Sequence, residues 1–123
     1  MSREHALCRL EDIPDGGSAG FDVPGLDGKG EEPIAVMAIR RGDCVFCYVN
    51  SCPHWGSPLD LIPGRFLDRK GRHILCTTHG AQFRIEDGRC IKGPCLGASL
   101  RPLPCRVESS TVMTGLADGA DRP

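Results

Sequence analysis

The sequence contains two similar stretches, CPHWGSPL at residues 52–59 and CTTHGAQF at residues 76–83. Each has a cysteine shortly before a histidine, with spacing C-x-H in the first and C-x-x-H in the second, and a glycine soon after. Each also follows a run that has the pattern of a β-strand, so two neighbouring hairpins can present these loops to one another. The side chains that can then face a common centre are those of Cys52, His54, Cys76 and His79.

Two sulfur and two nitrogen ligands could bind more than one kind of metal centre. A Cys2His2 set can hold Zn2+ tetrahedrally, which predicts a structural zinc module for protein interaction. Structural zinc sites, however, usually take two cysteines from one motif and two histidines from another. Each loop here supplies one cysteine and one histidine. A Rieske [2Fe-2S] cluster has two cysteines on one iron and two histidines on the other. Two loops that each supply one cysteine and one histidine fit this ligand set. A nucleophilic Cys-His enzyme is the weakest reading, because nothing in the sequence orients a base.

The composition predicts one small domain that binds neither nucleic acid nor a membrane. The chain has 123 residues, 40% of them hydrophobic, which can supply one modest core. Fifteen Lys and Arg against sixteen Asp and Glu provide no basic field for nucleic acid or anionic lipid. We find no secretory signal and no run of about 20 apolar residues that would span a membrane. A cytoplasmic location is expected, where eight cysteines are thiols or metal ligands rather than disulfides.

The secondary-structure pattern predicts an all-β fold. Short apolar or alternating runs are separated by turn residues, and no convincing helical stripe occurs. Asp87-Gly88 predicts a two-residue hairpin turn. Residues 1–110 are expected to form a single domain, 23–32 an exposed loop and 111–123 a flexible C-terminal tail. The predicted strands are 32–39, 44–50, 64–68, 73–76, 82–86, 89–92 and 103–109.

The two loops, together with FRIEDGRCIKGPCLGASLRPL at residues 83–103, resemble the Rieske iron-sulfur family, and the resemblance spans about residues 5–108. It implies an antiparallel β-sandwich with a small cluster-binding subdomain. That subdomain would consist of two cluster loops and a proline loop that covers the cluster, at residues 51–63, 76–83 and 92–97.

The resemblance also implies the cofactor and its ligands. Cys52 and Cys76 would bind one iron, and His54 and His79 the other, giving one Rieske-type [2Fe-2S] cluster per chain. The residues expected to surround the cluster are Trp55, Gly56, Thr78, Gly80, Gly93 and Pro94.

The ligand set and its surroundings predict a low potential within the Rieske range. Two neutral imidazoles leave the oxidised cluster neutral, so it accepts an electron more readily than a four-cysteine cluster. High-potential relatives carry a disulfide between the loops, where this chain has Ser57 and Thr78. They also place hydroxyl donors where this chain has Ala81 and Phe83. We therefore expect a midpoint of about −150 mV.

The function that the resemblance implies is that of a soluble Rieske-type ferredoxin, a one-electron carrier without activity or small-molecule substrate of its own. Its partners would be a flavin reductase as donor and the terminal oxygenase of a ring-hydroxylating dioxygenase system as acceptor. The small subunit of an assimilatory nitrite reductase is an alternative. That subunit often lacks the cluster ligands, all of which are present here.

The remaining cysteines and histidines have weaker signals. Cys44 and Cys47 form a C-x-x-C motif, but residues three apart on a strand point to opposite faces, so buried structural thiols are expected instead. The same is expected of Cys8 and Cys105. Cys90 and Cys95 flank the proline loop without an assigned role. His5 and His73 are expected to be solvated or to face a neighbouring strand.

Overall fold

The structure of the protein is a computed structural model, which describes residues 2–24, 33–53, 58–60, 64–76, 80–93 and 95–117. Within these ranges the secondary structure is almost entirely β, and the one helical segment is a single 3-10 turn, Leu10–Asp12. A search of the same residues for a helix that could span a membrane found none. The strands are β1 Ser2–Arg9, β2 Ser18–Pro24, β3 Pro33–Arg41, β4 Cys44–Val49, β5 His73–Leu75, β6 Gln82–Arg84, β7 Cys90–Lys92, β8 Pro102–Leu103, β9 Cys105–Glu108 and β10 Thr111–Ala117.

The strands form three antiparallel sheets. One has the order β1-β10-β9, the second β2-β3-β4-β8, and the third, which is smaller, β5-β6-β7. The smallest sheet holds the second cysteine–histidine stretch between β5 and β6, and the first stretch follows β4 of the four-stranded sheet. The all-β antiparallel architecture predicted from the sequence is confirmed.

Strand β3 separates two apolar clusters. Val36 and Ala38 belong to a cluster that reaches Val112 on β10, whereas Met37 and Ile39 belong to a second cluster. All four β3 side chains are fully buried. Successive residues of a strand point to opposite faces, so β3 is covered on both sides, which explains its unbroken apolar sequence. The second cluster contains the residues of the candidate site.

Several predicted strands are confirmed, although one turn differs. The runs at 32–39, 44–50, 73–76, 82–86 and 89–92 correspond to β3 to β7. The run at 64–68 contributes only an isolated bridge from Leu67 to Ile74. The β6–β7 connection is not the expected two-residue turn, because the Gly88 N–H donates to the Arg84 carbonyl and the loop takes in Ile85 to Gly88.

Three strands at the chain ends were not predicted as such. No strand was expected at β1 or β2, and β1 lies at the edge of its sheet, where charged residues are tolerated. The flexible tail expected at 111–123 is wrong for 111–117, which form β10 between β1 and β9; residues 118–123 lie outside the described part. Ser109 and Ser110 turn the β9–β10 hairpin with φ of 51° and 64°. Such turns favour Asn and Gly, so this one had no sequence signal.

Candidate metal centre

The first loop leaves the end of β4, and its base is fixed by Asn50. The Asn50 N–H donates to the Ala35 carbonyl at 2.8 Å, which keeps the chain beside β3 for one residue beyond the strand. The Asn50 side chain then reaches across the loop: its Oδ1 accepts from the Leu59 N–H, and its Nδ2 donates to Asp60 Oδ1, both at 2.8 Å. The other oxygen of Asp60 accepts from the Gly64 N–H at 3.0 Å. These bonds join the two ends of the loop.

The second loop begins at Cys76, directly after β5, and is closed by its own backbone. The Cys76 N–H donates to the Ala81 carbonyl at 2.8 Å, and the Gly80 N–H donates to the Cys76 carbonyl at 2.7 Å. Gly80 has φ of +75°, in the left-handed region that favours glycine, and a Cβ there would have open space around it. The glycine is therefore needed for the turn itself and not for close packing.

The two loop cysteines are buried in the same apolar cluster. Cys52 is 1% exposed and Cys76 0% exposed. They share this cluster with the fully buried aromatic rings of Phe66 and Phe83. A thiolate in such surroundings is costly unless a positive charge is bound to it, and iron supplies that charge. Two soft sulfur donors in a dry environment fit the cysteine half of a [2Fe-2S] cluster.

Several predicted site residues lie outside the described residues. These are His54, Trp55, Gly56, Ser57, Thr78, His79 and Pro94. Among the residues that are described, no group of three or more His, Cys, Asp and Glu side chains could hold a metal ion. The structure thus brings Cys52 and Cys76 into one cluster of the core, while the histidine half of the ligand set stays a prediction.

The segment predicted as the proline loop touches both cysteine loops. Gly93, with φ of +100°, lies so close to the second loop that a Cβ on it would be 2.8 Å from Ala81 Cα. On the other side, the Sγ atom of Cys95 lies 3.5 Å from the Sγ atom of Cys52. Cys95 is 1% exposed, so this sulfur contact is removed from water. Residues 92–93 and 95–97, the covering segment, therefore lie against Cys52 at one point and against the second loop at another.

The other cysteines do not share this arrangement. In β4, Cys47 is buried and Cys44 is exposed, which confirms that the C-x-x-C pair points to opposite faces but makes the expected burial of Cys44 wrong. The hydrogen bond with Cys105 and burial raise the pKa of Cys47 far above its ordinary value, so it stays a protonated thiol. Burial, with the nearby Asp12 charge, raises the pKa of Cys8 to about 11. Cys90 donates to the Lys92 carbonyl at 3.3 Å.

Two polar partners of the site were missed from the sequence. Asn50 and Asp60 carry the contacts that close the first loop, yet neither residue belongs to the C-x-H or C-x-x-H pattern. The available signal was an amide and a carboxylate flanking the C-x-H stretch at its two ends. The sequence assigns no role to Cys95, which follows Gly-Pro. Its contact with Cys52 spans 43 positions of the chain, so no local pattern predicts it.

Two loops that each place a cysteine in a dry core of an all-β domain fit the class of small iron-sulfur proteins. The chain belongs to the Rieske [2Fe-2S] domain family, whose model matches residues 3–109. The cofactor of this domain is a Rieske-type [2Fe-2S] cluster. A search of curated proteins gave no match.

Solved structures of similar fold include components of carbazole 1,9a-dioxygenases. The ferredoxin of that enzyme from Nocardioides aromaticivorans IC177 is 23% identical, with a TM-score of 0.73 over 94% of this chain and 99% of the ferredoxin. The terminal oxygenase from the same organism is 20% identical, with a TM-score of 0.74, and this chain spans 30% of it. A complex of reduced oxygenase and oxidised ferredoxin contains a chain 20% identical, with a TM-score of 0.68 and coverage of 91% and 92%. At these identities the likeness concerns the fold.

Proposed function

We propose that the protein is a Rieske-type ferredoxin that carries single electrons between proteins, with Cys52 and Cys76 on one iron and His54 and His79 on the other. The observation that carries this proposal is the burial of both cysteines in one apolar cluster, each at the start of a mixed loop. When bound, the cluster accepts and releases one electron. A carrier of this kind resides in the cytoplasm and needs no small-molecule substrate.

The described residues have clear tasks in such a carrier. Asn50 and Asp60 fix the ends of the first loop, so the sulfur of Cys52 stays in place when the charge of the centre changes. Gly93 allows the covering segment to approach the second loop closely, which keeps water from the cysteine side. Because that side is closed, we infer that the electron leaves through His54 or His79, whose imidazole edges would face the partner.

The low potential expected from the sequence has support in the surroundings of the thiols. Ala81 and Phe83 are fully buried beside the second loop, and neither side chain can donate a hydrogen bond to sulfur. Hydrogen bonds to the sulfurs stabilise the reduced state, so the lack of a donor side chain at these two positions lowers the potential. We propose a midpoint near −150 mV, at about the lower end of the Rieske range. A measured midpoint above about +100 mV would contradict this step.

The proposed partners are a flavin reductase as donor and a terminal oxygenase of the ring-hydroxylating type as acceptor. The solved ferredoxin–oxygenase complex of carbazole 1,9a-dioxygenase supports the acceptor, since one of its chains shares this fold over most of its length. The covering segment also exposes an apolar side chain, Leu96, of which 68% is accessible to solvent.

Electron transfer to an oxygenase tests the proposal. The photoreduced protein is mixed anaerobically with the oxidised oxygenase component of a carbazole 1,9a-dioxygenase, and the absorption of both centres is followed by stopped flow. We expect reoxidation of this protein with matching reduction of the oxygenase. A cluster-loaded protein that transfers no electron to any Rieske oxygenase tested, but reduces a nitrite reductase, would overturn the assignment of the acceptor.

A further inference from the structure

The sulfur of Cys95 touches the sulfur of Cys52, a contact that the assignment of four ligands does not use. The two Sγ atoms are 3.5 Å apart, and each of the two residues is only 1% exposed. Cys95 is held there by its own backbone: its carbonyl accepts from the Ala98 N–H at 2.8 Å, and the Leu96 N–H donates to the Gly93 carbonyl at 3.2 Å. These bonds form a turn that presents the Cys95 side chain to the interior.

The proposed function, on which this inference rests, decides which of the two sulfurs donates the hydrogen bond. A cysteine that binds iron does so as a thiolate and has no proton to donate. Between Cys52 and Cys95, only the thiol of Cys95 can then act as donor, and Cys52 Sγ is the acceptor. A hydrogen bond to a charged acceptor in a water-free environment is stronger than the same bond in water.

We propose that Cys95 is a positioning residue that tunes the centre, its thiol donating an S–H hydrogen bond to the sulfur of Cys52 and raising the reduction potential. The added electron increases the negative charge on the ligand sulfurs, so the bond is stronger in the reduced state than in the oxidised one. Cys95 thus replaces part of the donor set that is missing at Ala81 and Phe83. It acts from the covering segment and on the first loop.

The test compares three variants with the wild-type protein, each checked for two irons and two sulfides per chain. Cys95→Ala removes the donor, and we expect reduction to become about tenfold less favourable, a shift of roughly −59 mV for one electron. Cys95→Ser keeps a donor and should have a midpoint at or above that of the wild type. Cys90→Ala is the matched control: Cys90 is equally buried on β7, but its thiol donates to the Lys92 carbonyl, so the midpoint should not move.

A second measurement keeps the inference testable if Cys95→Ala does not retain a cluster. The infrared difference spectrum between the loaded wild-type protein and loaded Cys95→Ser isolates the S–H stretching band of Cys95. We expect a band at lower frequency than that of a simple thiol in an apolar solvent, as hydrogen bonding requires. A band at the frequency of the non-bonded thiol would overturn the inference, and so would equal midpoints for the wild-type protein and Cys95→Ala.

The outcomes separate this inference from the proposed function. A wild-type protein that binds no iron and sulfide would overturn the proposed function, and the role of Cys95 with it. A wild-type protein with a complete cluster, in which the midpoint does not depend on a donor at position 95, would overturn the role of Cys95 alone.

Discussion

Gly93 and Ala81 are in backbone contact across the site: a Cβ atom on Gly93 would lie 2.8 Å from Ala81 Cα and 3.3 Å from Ala81 N. Ala81 itself has no exposed surface, and its carbonyl accepts the Cys76 N–H that closes the second loop. The contact therefore joins the covering segment to the frame of the cysteine loop. It has no side-chain atoms that could rotate away.

We predict that Gly93→Ala destabilises the protein and shortens the lifetime of the cluster. Alanine adds both an unfavourable φ and a clash with backbone atoms that cannot yield, for a total of roughly 3 kcal/mol. Gly97→Ala is the control, because Gly97 has a similar φ of +93° but open space around a Cβ. It should cost only about 1–2 kcal/mol and leave the cluster lifetime unchanged. Urea unfolding and the decay of visible absorption in air measure both effects; equal decay rates would contradict the prediction.

We predict that Asn50→Ala loosens the first loop. The variant removes the acceptor of the Leu59 N–H and the donor to Asp60, with an expected loss of about 1–3 kcal/mol in the free energy of unfolding and faster cluster decay. Asp15→Ala is the control, because Asp15 also accepts a backbone N–H, that of Gly42, with its side chain. That bond lies in the turn before β4, whereas Asn50 follows the other end of the strand. That variant should change the cluster lifetime little. A long-lived cluster in Asn50→Ala would show that the loop does not depend on this side chain.

Acid should reduce the contribution of Asp68 to the free energy of unfolding. Partial burial alone would raise the pKa of this carboxyl, but hydrogen bonds from the Arg72 N–H and from His73 lower it by more, so the pKa lies below its ordinary value. A depressed folded pKa gives stability that is present above the unfolded value of about 3.9 and is lost as the pH falls through the folded value.

The measurement for Asp68 is the difference in thermal midpoint between the wild-type protein and Asp68→Asn. We expect the wild-type advantage found at about pH 5 to shrink as the pH falls below about 4. An advantage that does not change on acidification would mean that the charge of Asp68 contributes nothing to stability.

Replacing His79, a proposed ligand, should lower the potential. His79→Cys replaces a neutral ligand with a thiolate, so the centre gains a negative charge and accepts an electron less readily. The midpoint should fall between the Rieske range and the value of about −400 mV of four-cysteine clusters. His73→Cys is the control, because His73 lies against Asp68 rather than in a cysteine loop, and its midpoint should equal that of the wild type. Electrochemistry of the two loaded variants decides between these outcomes.

The sequence predicted the local features of the fold and missed those that depend on distant partners. The β3 and β4 strands and the loop glycine Gly80 follow from short-range patterns of alternation and turns. The pairing of β10 with β1 joins the two ends of the chain, and the Cys52–Cys95 contact joins segments far apart in sequence. Such contacts carry no local pattern, because only the folded chain brings their residues together.

Iron and sulfide analysis with electron paramagnetic resonance of the purified protein decides whether the site holds a [2Fe-2S] cluster. We expect a brown protein with two irons and two sulfides per chain and a rhombic signal on reduction. Replacing any one of Cys52, His54, Cys76 and His79 with Ala should abolish that signal, whereas Cys44→Ala should not. A colourless protein that holds one zinc ion per chain, with no sulfide and no signal, would show that the site is a structural zinc site instead.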